Sequence, residues 1–157
     1  MGLMYSAVFN GVAVSAITDL FWMGAPTDAI VVIHEITVTQ EAQETSEQLP
    51  LLIFRTTTDN SAQGTSVTAN PLEVGFPAHG SVVRRSITGG NLSAETTILR
   101  RLSQNLVNGW HYLFTPETRI VLSPTAGTAG RLAIKLPTAP GASITLDAEL
   151  IFEEIGG

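Results

Sequence analysis

The residues of this sequence whose types could do chemistry are three histidines, two arginine pairs and a few clustered acids. His34, His79 and His111 form no H-x-H, H-x-x-x-H or HExxH spacing, and Cys is absent, so no local metal motif exists. His34 keeps step with Ile30, Val32, Ile36 and Val38, which predicts a hydrogen-bonded core or subunit-contact histidine rather than a ligand. His79 lies in a Pro/Gly loop and His111 between Trp110 and Tyr112, both read as structural. Nucleophile and phosphate motifs are missing: there is no G-x-S-x-G elbow, and Gly89-Gly90 lacks the residues that complete a nucleotide loop. Glu153 and Glu154 would point to opposite faces of a strand. Glu41, Glu44 and Glu47 would share a helical face, read as solvated surface rather than a calcium site. Asn91-Leu92-Ser93 matches a glycosylation sequon by chance. No catalytic, cofactor or metal residue is assigned, and the expectation is a protein that is not an enzyme.

Two groups carry positive expectations. Arg84-Arg85 and Arg100-Arg101 fall on the two arms of a hairpin expected to close at Gly89-Gly90. Strand neighbours point to opposite faces, so each pair offers one Arg per face, and cross-strand clustering would build an Arg patch for a partner's carboxylates. The alternative is pairing with the chain's own acids. These four arginines, with Glu41, Glu44 and Glu47, are the candidate partner-binding residues. The second group is aromatic: Phe21, Trp22, Trp110, Tyr112 and Phe114. Trp110, Tyr112 and Phe114 share a strand face, which reads as core, whereas a carbohydrate platform would need them exposed.

The elements that must position these residues are strands. Ile144, Leu146, Ala148, Leu150 and Phe152 share one face, with Thr145, Asp147, Glu149, Ile151 and Glu153 opposite. Residues 29–41 and 131–136 alternate similarly, and further strands are expected at 5–9, 12–17, 51–57, 81–88, 95–103, 110–114 and 119–123. Residues 40–49 are acidic and suit a helical turn; residues 58–80 form the longest irregular stretch. About nine or ten short strands with evenly spaced turns predict an all-β antiparallel β-sandwich of jelly-roll type, with an up-and-down barrel as the rival. The jelly roll also hosts cupin metalloenzymes, but their close His-x-His pair has no counterpart around His34-Glu35.

Composition bounds the rest. The 157 residues predict one domain spanning 1–157. All eight basic residues lie between 55 and 135, and the net charge is −6, which argues against bulk nucleic-acid binding. Residues 1–54 carry only acids. No run approaches the ~20 apolar residues of a spanning helix, and the N-terminus lacks the charged start of a secretory signal. A mean hydropathy of +0.25 fits either a large buried interface or an ordinary Val-, Ile-, Leu- and Thr-rich β-protein.

A further signal is spread along nearly the whole chain. It comprises Phe9-Asn10-Gly11-Val12 with Asp19-Leu20-Phe21, and Ala25-Pro26-Thr27-Asp28-Ala29 leading into a strand to Gln40. Asn70-Pro71-Leu72-Glu73, Gly109-Trp110-His111-Tyr112-Leu113, Thr115-Pro116-Glu117 and Arg131-Leu132 continue it. Its most distinctive part is the ending Leu150-Ile151-Phe152-Glu153-Glu154-Ile155-Gly156-Gly157. These segments resemble a family of small β-proteins encoded among the virion structural genes of tailed bacteriophages. The resemblance implies a capsid decoration (cement) protein on the outer surface of the head, with the major capsid protein and its own copies, as a homotrimer, for partners. From the charge distribution and the missing motifs and spans, no cofactor, nucleic-acid or membrane partner is expected. The competing expectation is a receptor- or carbohydrate-binding module associated with a tail or head fibre.

Overall fold

The computed structural model describes residues 2–41, 46–125 and 127–156. Its strands are β1 (Leu3–Val14), β2 (Thr18–Gly24), β3 (Ala29–Gln40), β4 (Gln48–Arg55), β5 (Thr65–Ser66) and β6 (Ala69–Pro71). They continue with β7 (Val82–Thr88), β8 (Thr97–Asn105), β9 (Trp110–Leu113), β10 (Ile120–Leu122), β11 (Arg131–Leu136) and β12 (Ile144–Gly156). The twelve strands form two antiparallel sheets of six, packed as a sandwich.

The first sheet runs β10-β3-β12-β1-β6, with β9 following β10's edge along β3; the second runs β5-β7-β2-β11-β4-β8. Without the short β5, β6 and the added β7, the chain visits the sheets in a double Greek-key order. The last strand, β12, lies between β1 and β3, and β11 lies between β2 and β4. That winding is the jelly roll, so the expected fold class holds and the barrel does not. The chain exceeds the expected nine or ten strands because β5 and β6 lie inside the 58–80 stretch read as irregular.

Alternation builds the common core. β12 turns Ile144, Leu146, Ala148, Leu150 and Phe152 inward against Tyr5, Ala7, Phe9, Ile36 and Val38 of β1 and β3. Leu20, Phe21 and Met23 of β2, Leu49, Leu51 and Ile53 of β4, and Leu132, Ile134 and Leu136 of β11 close the core from the second sheet.

Several local expectations are corrected. The separate strands at 5–9 and 12–17 are one strand, β1, with a register shift between Phe9 and Val12. Gly11 takes φ +61° there, a left-handed conformation that suits glycine. The run TDLFWMG was not expected as a strand because it is buried along its whole length and shows no alternation. Gly89-Gly90 closes no hairpin. Residues 89–91 are a 3-10 turn, and the chain then crosses the second sheet to place β8 beyond β2, β11 and β4.

Candidate functional site

The two outer faces of the sandwich are finished differently. On the second sheet, Trp22, Leu52, Phe54, Ile87 and Ala133 face outward yet are buried as a small second core. Two stretches of the chain's own backbone cover them. Trp22 Nε1 donates to Thr58 O at 3.2 Å, Ala94 N to Thr58 Oγ1 at 2.9 Å, and Thr96 N to Arg55 O at 3.2 Å.

A buried polar node pins these straps. Lys135 stands directly across from Asp19 in the β11–β2 register, and both are buried. Lys135 Nζ donates to Ser93 O at 2.7 Å and Glu95 Oε1 at 3.2 Å, lies 4.0 Å from Asp19 Oδ1, and sits 4.9 Å over the Phe54 ring. Asp19 Oδ2 accepts from Ser93 N at 2.8 Å, and Asn60 Nδ2 donates to Ser93 Oγ at 3.0 Å. Burial pushes the Asp19 carboxyl above its usual value, against the opposing pull of Ser93 and Lys135. The Ser93 of the sequon is thus enclosed and committed to the fold.

Among the described residues, no such strap covers the outer face of the first sheet. Register places its outward side chains in rows across the strands. One row is Met4, Glu153, Val32 and Val121; the next is Asn70, Ser6, Ile151, Glu35 and Leu113; a third is Val8, Glu149, Thr37 and His111. Leu72 N donates to Met4 O at 2.9 Å, which sets Leu72 at the edge of the first of these rows. Ile155 and Ile30 pair at one end, Asp147 and Thr39 at the other. Val8, Ile30, Leu72, Leu113, Val121 and Ile155 are exposed, Leu113 to 65%.

The carboxylates of this face are held by neutral donors and imidazoles. Glu153 meets His34 Nε2 at 3.0 Å and Gly2 N at 3.1 Å; Glu35 meets His111 Nε2 at 2.8 Å. Ser6 Oγ donates to Glu149 at 2.6 Å and Gly11 N to Asp147 at 2.7 Å. No strand of this sheet contains Lys or Arg. A shallow groove of about 180 Å³ lies between Val8, Thr37, Thr39, Asp147 and Glu149, with Ala148 among its lining residues.

His34 was expected on the apolar face. The β3–β12 register shifts between Ile151 and Phe152, so Val31, Ile33, Ile36 and Val38 point inward. His34 and Glu35 then both lie on the outer side of the resulting bulge. The expected hydrogen bond is there, to Glu153, but the core location is not. Glu154 takes the opposite face from Glu153, as expected. It is buried and accepts from Gly80 N, Ser81 N and Ser81 Oγ, which fastens the end of the 58–80 stretch. His79 fastens its middle by accepting Ala69 N at 3.1 Å.

The arginine pairs are not brought together. Arg84 and Arg85 lie on β7, Arg100 and Arg101 on β8, with three strands between them. At ~4.8 Å per strand that is roughly 19 Å, too far for one patch. Arg85 instead covers the Phe9 ring at 5.7 Å, and Arg100 Nε donates to Tyr112 Oη at 3.2 Å. Glu41 ends in a bend beyond β3, and Glu47 accepts Gly141 N at 2.9 Å. Glu44 lies outside the described residues, as does part of the expected 40–49 turn. Phe21, Trp22, Trp110 and Phe114 are buried and Tyr112 is half-buried, so this set offers no carbohydrate platform. Sequence reasoning missed the open face because its residues come from six strands. The alternation along β12 and along the second half of β3, with Glu35, Thr37 and Thr39 opposite the apolar residues, exposed part of it. Among the described residues no group of three or more His, Cys, Asp or Glu is placed to hold a metal ion.

No family model matches the chain, and no curated protein matches it. Among solved structures, a chain from the single-particle structure of Maize Chlorotic Mottle Virus is similar at 12% identity, over 99% of this chain and 95% of that one. The TM-score of that pairing is 0.29, below the level of a shared fold, so it carries no argument about function.

Proposed function

We propose that this chain is a structural protein of a tailed-bacteriophage virion, a capsid decoration protein that binds the outer surface of the head through the major capsid protein. The observation that carries the contact-making role is the contrast between the two sheets. One outer face is sealed by the chain's own straps; the other is left open, with apolar and acidic side chains and no Lys or Arg in its strands. A large exposed apolar surface is the usual mark of an interaction site. The head address is supported by the resemblance of the segments between Phe9 and Gly157 to phage virion proteins. A cement role demands contact area rather than chemistry, since symmetric repetition multiplies modest contacts through multivalency. Homotrimerisation belongs to the same reading.

Purified protein added to heads that lack it should bind saturably and raise their resistance to heat. Leu113→Ser with Val8→Ser, placed on the open face, should weaken binding by about tenfold, a loss of ~1.4 kcal/mol. Heads that neither bind the protein nor gain stability from it would end this reading.

A further inference from the structure

We infer that the open face of the first sheet seats a Lys- or Arg-bearing, apolar-flanked segment of a different protein, and not the same face of a second copy of this chain. The inference rests on reading that face as the contact surface, and it names the chemistry of the occupant.

The apolar residues come first. Val8, Leu113, Val121, Ile30, Ile155 and Leu72 stand exposed around a face whose central strands are β3 and β12. Exposed residues in that arrangement supply the apolar part of a docking surface. Charge then selects what docks. Glu35, Asp147, Glu149 and Glu153 lie on those two strands, and among the described residues no Lys or Arg forms an ion pair with any of them. The bonds they accept from Gly11 N, Ser6 Oγ, Gly2 N and Thr37 Oγ1, and those they share with two imidazoles, fix their positions. Asp147 and Glu149 are two apart on one strand face, roughly 7 Å along it, and both line the groove beside Val8. A cationic side chain lying in that groove faces two carboxylates at once, with its aliphatic stem on Val8.

Two other occupants are disfavoured by the same charges. A two-fold contact of this face with itself would set carboxylates against carboxylates. A phosphate-rich surface, lipid or nucleic acid, would meet the same repulsion.

The test uses the full-length, isotope-labelled protein and a capped hexapeptide of alternating Leu and Arg, with the Leu/Glu peptide as control. The Leu/Arg peptide should shift the amide signals of Val8, Thr37, Thr39, Asp147 and Glu149 saturably, and the control should not. D147N with E149Q should weaken binding about tenfold, whereas E73Q with E117Q, the same charge change elsewhere, should alter it less than about twofold. Asn and Gln oxygens still accept the bonds from Gly11 and Ser6, so an unchanged melting temperature establishes that the first variant is folded. Equal losses in both variants, or shifts spread away from this face, would overturn the assignment. So would concentration-dependent self-association in light scattering that D147N with E149Q abolishes. A failure to bind heads with the peptide result intact removes the capsid address alone; loss of peptide selectivity removes the face assignment alone.

Discussion

Lys135 shows how far a single position can depart from its sequence signal. Its alternation with Leu132, Ile134 and Leu136 marks it as outward-facing, and it is; outward here means under the chain's own straps. A buried ammonium is tolerated because Ser93 O, Glu95, Asp19 and the Phe54 ring share its charge. Lys135→Met keeps the aliphatic stem but leaves the Asp19 carboxylate buried without its cation. We expect a loss of about 3 kcal/mol in urea unfolding, and an unchanged midpoint would mean that the node contributes nothing. Apart from Ser93 and Glu95 on one strap, the node's partners are far apart in sequence, so no motif could announce it. His34 was misplaced for a related reason: one bulge residue reverses the inside-outside reading of everything before it on the strand.

At the scale of elements, the legible strands were those whose residue types alternate. β12 alternates because one face is buried and the other open, and β11 because Arg131 and Lys135 are interleaved with Leu132, Ile134 and Leu136 although both of its faces are covered. β2 was missed because it is buried throughout and Leu20, Phe21, Trp22 and Met23 run without alternation. The hairpin at Gly89-Gly90 was misread because a turn signal says that the chain bends, not which strand it then pairs with. That misreading also hid what the arginine pairs do. β8 is an edge strand with one side unpaired, and β7 is covered only by the two-residue β5. Charges and an irregularity on an edge strand discourage another strand from adding to it, and Arg100 and Arg101 beside the register shift at Leu99 are expected to act in this way. Replacing both by Thr should leave the fold intact and produce concentration-dependent association beyond that of the parent in size-exclusion with light scattering. A variant that elutes as the parent does at all concentrations would refute this role.

For the whole molecule, the all-β class and the sandwich were legible in turn spacing and alternation, and the jelly-roll winding follows from strand order. What the sequence could not display is the asymmetry between the faces. Glu35 of the first half and Asp147, Glu149 and Glu153 of the C-terminal tail are far apart in sequence, yet β3 and β12 are neighbours, so these four acids share one open surface, whereas Asp19 and Glu154 are buried. Bases between 55 and 135 contribute mainly to the second sheet and to loops. A fold of this kind serves many functions, so the functional argument belongs to that surface rather than to the jelly roll. Electron microscopy of intact particles carrying the protein tests the account most directly. Density is expected on the outside of the head, with the face bearing Val8, Leu113 and Glu149 turned toward the major capsid protein. Density on the tail, or that face turned to solvent on the head, would contradict it.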